Sequence, residues 1–339
     1  MRLVYPLGVS ILLLLSGSAA ARPLLRPAPE LTVPAGWVAE RYASGLTRPT
    51  AMAFGPDGRL YVAQESGQIV VVGLGSTKAR VVARGFSEPL GLAWKGKRLF
   101  VSSMGRLDSL DLVGKRLVGR RTLLRRLPNG RHQQDNVVVG RDGRLYIGNG
   151  STCDVCAEKD PRSATILSVR PDGRDLKIVA TGLRNPYGLA VQPRTGRLYA
   201  TVNGRDDLGD EPAEMLVLVK QGRDFGWPGC WPSFAEKRLK GSCAGVTPPV
   251  AYLEPRSGAG GIAFSRDGRT AYIALWGQYL ATTHGRTVVR VELAPDGSVT
   301  GQRVFASGFG HPLAVLVTRA GALLVSDWDR GRLYRIRPR

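Results

Sequence analysis

One phrase recurs six times along the chain: an apolar strand, a tight polar turn, and a second apolar strand. The copies begin at Ala51, Gly91, Asn136, Gly188, Gly261 and Leu313. The first reads Ala51-Met-Ala-Phe-Gly-Pro-Asp-Gly-Arg-Leu-Tyr-Val62. Their spacing runs from roughly 40 to 75 residues, the range of propeller blades with insertions. Short β-branched runs such as Gln68–Val72 and Thr287–Leu293 are bounded by Gly, Pro or Asp and read as strands. Helical periodicity is nearly absent. The expectation is therefore all-β: a six-bladed β-propeller of four-stranded antiparallel blades over residues 35–339.

The residues ahead of the repeats read differently. Arg2, the apolar run Val9 to Leu15 and the small residues Ser18 to Ala21 have the make-up of a cleaved export signal over residues 1–21. That apolar run is short for a bilayer span, and no later segment is long enough to cross one. The expected location is secreted or periplasmic. Residues 22–34 are Pro-rich and read as an extended tether or sheet edge.

An oxidising compartment suits the four cysteines. Three pairings are possible for four cysteines, and the local ones are expected: Cys153 with Cys156, and Cys230 with Cys243. A zinc site needs four converging ligands, and these two pairs are far apart in sequence. A redox Cys-x-x-Cys would need a βαβ context, which the sequence lacks. The formal net charge of +21 is high. Its basic residues are spread across the blades, with no block suited to a duplex groove, so nucleic acid is not an expected partner.

The hairpin rule converts the repeat into a site. An antiparallel pair places the start of its first strand beside the end of its second. Loops before the first strand and after the second therefore share one face of the disc, and six of them meet at one mouth of the central channel. That set holds Arg48, Gln64 and Glu65; His132 and residues 151–156; Arg184, Asn185 and residues 203–206; Arg256 and Trp276; and His311, Asp327 and Asp329. The turn residues Asp57, Asp142 and Asp267 go to the opposite face, where turn formation is role enough. Several guanidiniums around a shallow opening suit a polycarboxylate ligand. Asp206, Asp207, Asp210 and Glu211 lack EF-hand spacing and read as a solvated acidic loop.

Three motifs add a resemblance. Gly182-Leu-Arg-Asn-Pro-Tyr-Gly-Leu-Ala190, Asn203-Gly-Arg-Asp-Asp-Leu-Gly-Asp-Glu211 and Phe225-Gly-Trp-Pro-Gly-Cys230 resemble the soluble quinoprotein sugar dehydrogenases. Gly148-Asn-Gly-Ser-Thr-Cys-Asp-Val-Cys156 is similar to their sorbosone dehydrogenase-like branch. The resemblance runs from about Val33 to Ile336. It implies a propeller that binds pyrroloquinoline quinone and Ca2+ at the channel mouth and oxidises an aldose or related aldehyde. It implies His132 as general base, Arg184 and Asn185 as cofactor contacts, and the carbonyls of Gly204 and Arg205 as calcium ligands. The implied partners are a small sugar or aldehyde and a separate electron acceptor.

The sequence departs from that pattern in places. Ser151 stands where an Asp orients the base, Arg205 where Pro is common, and Leu216 where an Asn follows the Glu seen here as Glu214. No Arg follows His311 closely, and the Lys expected near the fifth blade is not evident, with Thr287 or Gln278 in that region. Arg48, Arg256 and His311 are the candidates for an alternative clamp on the cofactor. Two other readings remain open on sequence. One is a calcium-dependent lactonase-type hydrolase using Glu65, Asp327 or Asp329. The other is a non-catalytic carbohydrate- or envelope-binding propeller.

Overall fold

The computed structural model describes residues 25–73, 75–278 and 281–339. The segment read as an export signal lies outside the described residues. Six sheets stand around an axis, and the first strand of each contacts the first strands of its two neighbours, closing the ring.

The first blade is Pro49–Phe54, Leu60–Gln64, Gln68–Val72 and Ala79–Ala83. The second is Gly91–Lys95, Arg98–Ser103, Arg106–Val113 and Arg116–Leu124. The third is Gln134–Val139, Leu145–Asn149, Thr165–Val169 and Lys177–Thr181, with Arg223–Asp224 added as a parallel fifth strand. The fourth is Leu189–Val191, Leu198–Val202, Glu214–Val219 and Ala251–Leu253. The fifth is Ala259–Phe264, Thr270–Leu275, Thr287–Leu293 and Val299–Ala306. The expected four-stranded antiparallel plan thus holds, with an extra edge strand on the third and sixth blades.

The sixth blade closes the ring. Pro312–Val317, Leu323–Asp327 and Arg332–Pro338 take their fourth strand from the other end of the chain, Trp37–Ser44. Arg26–Pro27 then pairs outside it, so part of the Pro-rich segment is a sheet edge. Pro suits that place, because an edge strand leaves its missing N–H facing outward.

The core lies between blades. Successive side chains point to opposite faces, and the inner strands are apolar on both, so six buried clusters fill the six gaps. Between blades one and two, for example, Tyr61, Ile69, Leu99 and Val101 are buried together, with Tyr61 edge-on to Trp94. The turn aspartates behave as the turn reading requires. The Oδ1 atoms of Asp57, Asp142 and Asp267 accept the backbone N–H of Arg59, Arg144 and Arg269.

Glu30 fastens the closure. It accepts from Arg41 at 2.9 Å, from Tyr334 at 3.0 Å and from Arg332 at 3.3 Å, joining the N-terminal segment to the last strand. The Arg41 hydrogen bond is the main reason its carboxyl is lowered to about 2. A depressed folded-state pKa stabilises above the unfolded value and is lost as pH falls through the folded one. Glu30→Gln should therefore lower stability by about 1 kcal/mol at neutral pH. The deficit should shrink as pH falls from about 4.5 towards 2. Urea midpoints at several pH values test this; a deficit that does not change with pH would refute the assignment.

Candidate active site

Each blade ties the loop entering its first strand to the loop leaving its second. Glu65 donates its N–H to Arg48, Met104 to Ser87, His132 to Ser151, Asn203 to Asn185, Trp276 to Gly258, and Trp328 to His311. One further bond crosses between blades: Ser151 N–H donates to the Arg184 carbonyl at 2.7 Å. The third blade's loops and the Arg184–Asn185 doublet are thereby held together. Gly150 lies where they meet. A Cβ there would collide with the Cβ of His132 and stand 2.8 Å from Asn185 Oδ1.

His132 is half-buried, and its Nδ1 lies 2.9 Å from Ser151 Oγ. The Ser151 hydroxyl donates its proton to the Cys153 carbonyl at 2.7 Å. Its oxygen is then an acceptor, so His132 carries its proton on Nδ1 and leaves Nε2 free to accept. Burial, then the charges of Arg184 and Arg131, lower this imidazole to about 3. It is neutral throughout the physiological range.

Arg184 is buried and ion-paired. Its Nη2 lies 2.6 Å from Asp154 Oδ1 and 2.7 Å from Asp206 Oδ2. Burial works to raise the Asp154 carboxyl, but the Asp206 amide and Arg184 outweigh it and hold it below the usual range. Asn185 donates to Asn203 Oδ1 at 2.8 Å. Asn203 donates to Glu214 at 3.2 Å and to the Ala259 carbonyl at 2.9 Å. Glu214 also accepts the Gly204 and Gly258 amides, and burial pushes its carboxyl up to about 7. The carbonyls of Gly204 and Arg205 accept no hydrogen bond among the described residues.

A cavity of about 270 Å³ opens beside Asn185, with Glu65, Tyr187, Asn203, Trp276 and Trp328 on its wall. His311 stacks on Trp276 with ring centres 4.0 Å apart, and its Nδ1 lies 2.9 Å from the Trp276 carbonyl. Arg48 lies over the Trp328 ring and pairs with Glu65 at 3.0 Å. Arg256 sits at the exposed rim, 3.9 Å from Asp210.

The chain matches the family described as Glucose / Sorbosone dehydrogenase over residues 103–335. It belongs to the glucose/sorbosone dehydrogenase family. An uncharacterized protein of Borreliella burgdorferi is 24% identical over 217 residues, 58% of this chain and 56% of that protein. The matched stretch thus spans little more than half that relative's length. Aldose sugar dehydrogenase YliI of Escherichia coli is 23% identical over 271 residues, 72% of this chain and 70% of that protein. The holo form of the pyranose dehydrogenase PQQ domain from Coprinopsis cinerea has the same fold. Its TM-score is 0.79 at 19% identity, covering 94% of this chain and 99% of that one.

Within this family member, both local disulfides form as expected, Cys153–Cys156 and Cys230–Cys243. Sequence reasoning missed Arg286. It precedes the third strand of blade five, with Nη2 3.5 Å from His311 Nε2 and Nε buried without a partner among the described residues. The loop after the second strand was the right place to look, but its far end holds the cation. Asp154 lay within the expected loop, but nothing in a Cys-x-x-Cys motif marks an inner residue as a partner for Arg184. Gly150→Ala should force His132 and Asn185 apart and cost about 1–3 kcal/mol. Chemical denaturation measures it, and a variant as stable as the parent would contradict the close approach.

Proposed function

We propose that this family member oxidises an aldose or related aldehyde sugar, with pyrroloquinoline quinone as hydride acceptor and Ca2+ beside it. The observation that carries the reading is His132: a neutral imidazole with Nδ1 committed and Nε2 free, sharing Gly150 with the Arg184–Asn185 doublet.

The residues present fit such a cofactor. Arg286 Nε is a buried donor without a partner among the described residues, and Asn185 stands on the cavity wall. Gly204 and Arg205 offer carbonyls that accept no hydrogen bond, beside the buried Glu214 carboxyl, and such hard oxygens suit Ca2+. When bound, the quinone supplies a two-electron acceptor and the cation a Lewis acid.

His132 Nε2 takes the hydroxyl proton of the sugar. Ser151 holds the ring with its proton on Nδ1, so that the Nε2 lone pair is the one left to accept. Asn185, Trp276 and Trp328 line the opening, while Arg184 lends positive charge from behind its pairs with Asp154 and Asp206. Arg286 supplies the positive charge that the sequence lacks after His311. Arg48 and Arg256 are already occupied by Glu65 and Asp210.

The hydrolase reading fares worse. Glu65 is spent on Arg48 and Trp328. Asp327 is spent on the amides of Gly310, His311 and Arg330. A non-catalytic binding propeller gives no reason for the tautomer lock on His132. Two disulfides and the signal-like residues 1–21 support export to the periplasm or the exterior. Among the described residues no helix is long and apolar enough to cross a membrane.

The decisive experiment adds Ca2+ and pyrroloquinoline quinone to purified apoprotein, then a panel of aldoses and an artificial electron acceptor. Sugar-dependent reduction of the acceptor is expected, and no cofactor binding at micromolar concentration would remove the reading. His132→Ala should lower kcat by about 10²–10⁴-fold while cofactor affinity holds. A second test separates the cations. Arg286→Ala should weaken cofactor binding by roughly 10- to 100-fold, as loss of a charged hydrogen bond does. Arg256→Ala should change it little; titration by intrinsic fluorescence reads both, and the reverse ranking would return the clamp to Arg256.

A further inference from the structure

The loop that follows the second strand of blade three serves two neighbours at once. Ser151 Oγ accepts from His132 Nδ1 only because its own proton goes to the Cys153 carbonyl. One residue on, Asp154 Oδ1 accepts from Arg184 Nη2 at 2.6 Å and from the Asp206 amide at 3.1 Å. The Asp154 carbonyl accepts from Trp227 Nε1 at 3.1 Å. Thr152, between them, is held by both oxygens of Glu158. The Cys153–Cys156 disulfide ties this irregular stretch into a turn.

The hydroxyl at Ser151 makes that turn consequential. A carboxylate can only accept from a neutral imidazole, so it fixes the tautomer alone. A hydroxyl both donates and accepts. Were Ser151 free of the Cys153 carbonyl, it could donate to His132 Nδ1, and the ring would then carry its proton on Nε2. That tautomer has nothing with which to accept a proton from a substrate.

We propose that the disulfide-closed turn Cys153–Cys156 is the positioning element of this site. Its Cys153 carbonyl commits the Ser151 hydroxyl and so sets the His132 tautomer, and its Asp154 fixes the Arg184 guanidinium. One covalent clip thereby orients both groups. Ser151 and Asp154 are positioning residues, acting through His132 and Arg184. The proposal rests on the reading of His132 as the base, but its test does not need that reading to hold.

The primary readout is the long-range proton–nitrogen spectrum of ¹⁵N-histidine-labelled apoprotein, which separates the two imidazole tautomers. The chain has 3 histidines, and substitution of His284 and His311 assigns the third. The unaltered protein should show His132 protonated on Nδ1 alone. C153A/C156A should show a mixture or the opposite tautomer, while C230A/C243A, which removes the other disulfide, should leave the signal unchanged. Ser151→Ala should also release the tautomer, and Ser151→Thr should restore it.

In reconstituted enzyme, C153A/C156A should lower kcat by about tenfold or more with a smaller change in the sugar KM, as loss of positioning does. A folded C153A/C156A protein with the parental tautomer and kcat overturns the proposal. If that variant does not fold, the Ser151 pair decides in the intact disulfide: an unchanged tautomer in Ser151→Ala overturns it equally. Should no sugar be oxidised, the tautomer spectra still report on the clip, so the two failures are distinguishable.

Discussion

The site depends on a backbone constraint repeated in every blade: a residue in the loop before the first strand is hydrogen-bonded to one in the loop after the second. Antiparallel pairing requires this, since the hairpin's open end is where those two loops meet. Closure turns six separate hairpin ends into one mouth. Trp37–Ser44 pairs along nearly the whole of Arg332–Pro338, so the two ends of the chain complete one sheet. With the ring closed, the backbones of these loops are held around one axis. His132 and Asn185, more than fifty positions apart, come to share Gly150.

Much of this was legible because it is periodic. The strand–turn–strand phrase gave the blades, their number and the face on which their loops gather. Turn chemistry placed Asp57, Asp142 and Asp267 correctly, since an Asp two residues ahead of a backbone N–H is a local event. Both disulfides were legible for the same reason, each closing a short stretch of chain. The closing strand was not. Trp37–Ser44 is an ordinary strand, and nothing local says that its partner lies at the far end of the chain. The contacts of Asp154, Glu214 and Arg286 were equally hidden, because each is made across loops from different blades. Arg256, read from its place before the fifth blade, turns to the rim and meets Asp210.

The charges at the mouth follow a different rule from the charge of the chain. The net charge is +21, yet the mouth is locally balanced. Arg48 faces Glu65, Arg205 faces Asp207, and Arg131 and Arg184 share Asp206. Arg184 needs this most, because a buried guanidinium left without a partner is strongly destabilising. The excess of positive charge therefore belongs to the solvated blade surfaces, as its dispersal along the sequence suggests. Arg286 is the exception at the mouth, with no ion pair among the described residues.

Local balance also shapes the chemistry open to His132. Two guanidiniums and burial disfavour its imidazolium, and Asp206 offsets them only in part. The ring is therefore neutral and able to accept when a sugar hydroxyl reaches it in the proposed reaction. Protonation state is then no control at ordinary pH, since the ring is neutral throughout. What governs its competence is which nitrogen carries the proton, and that is decided at the Ser151 hydroxyl by the carbonyl of Cys153.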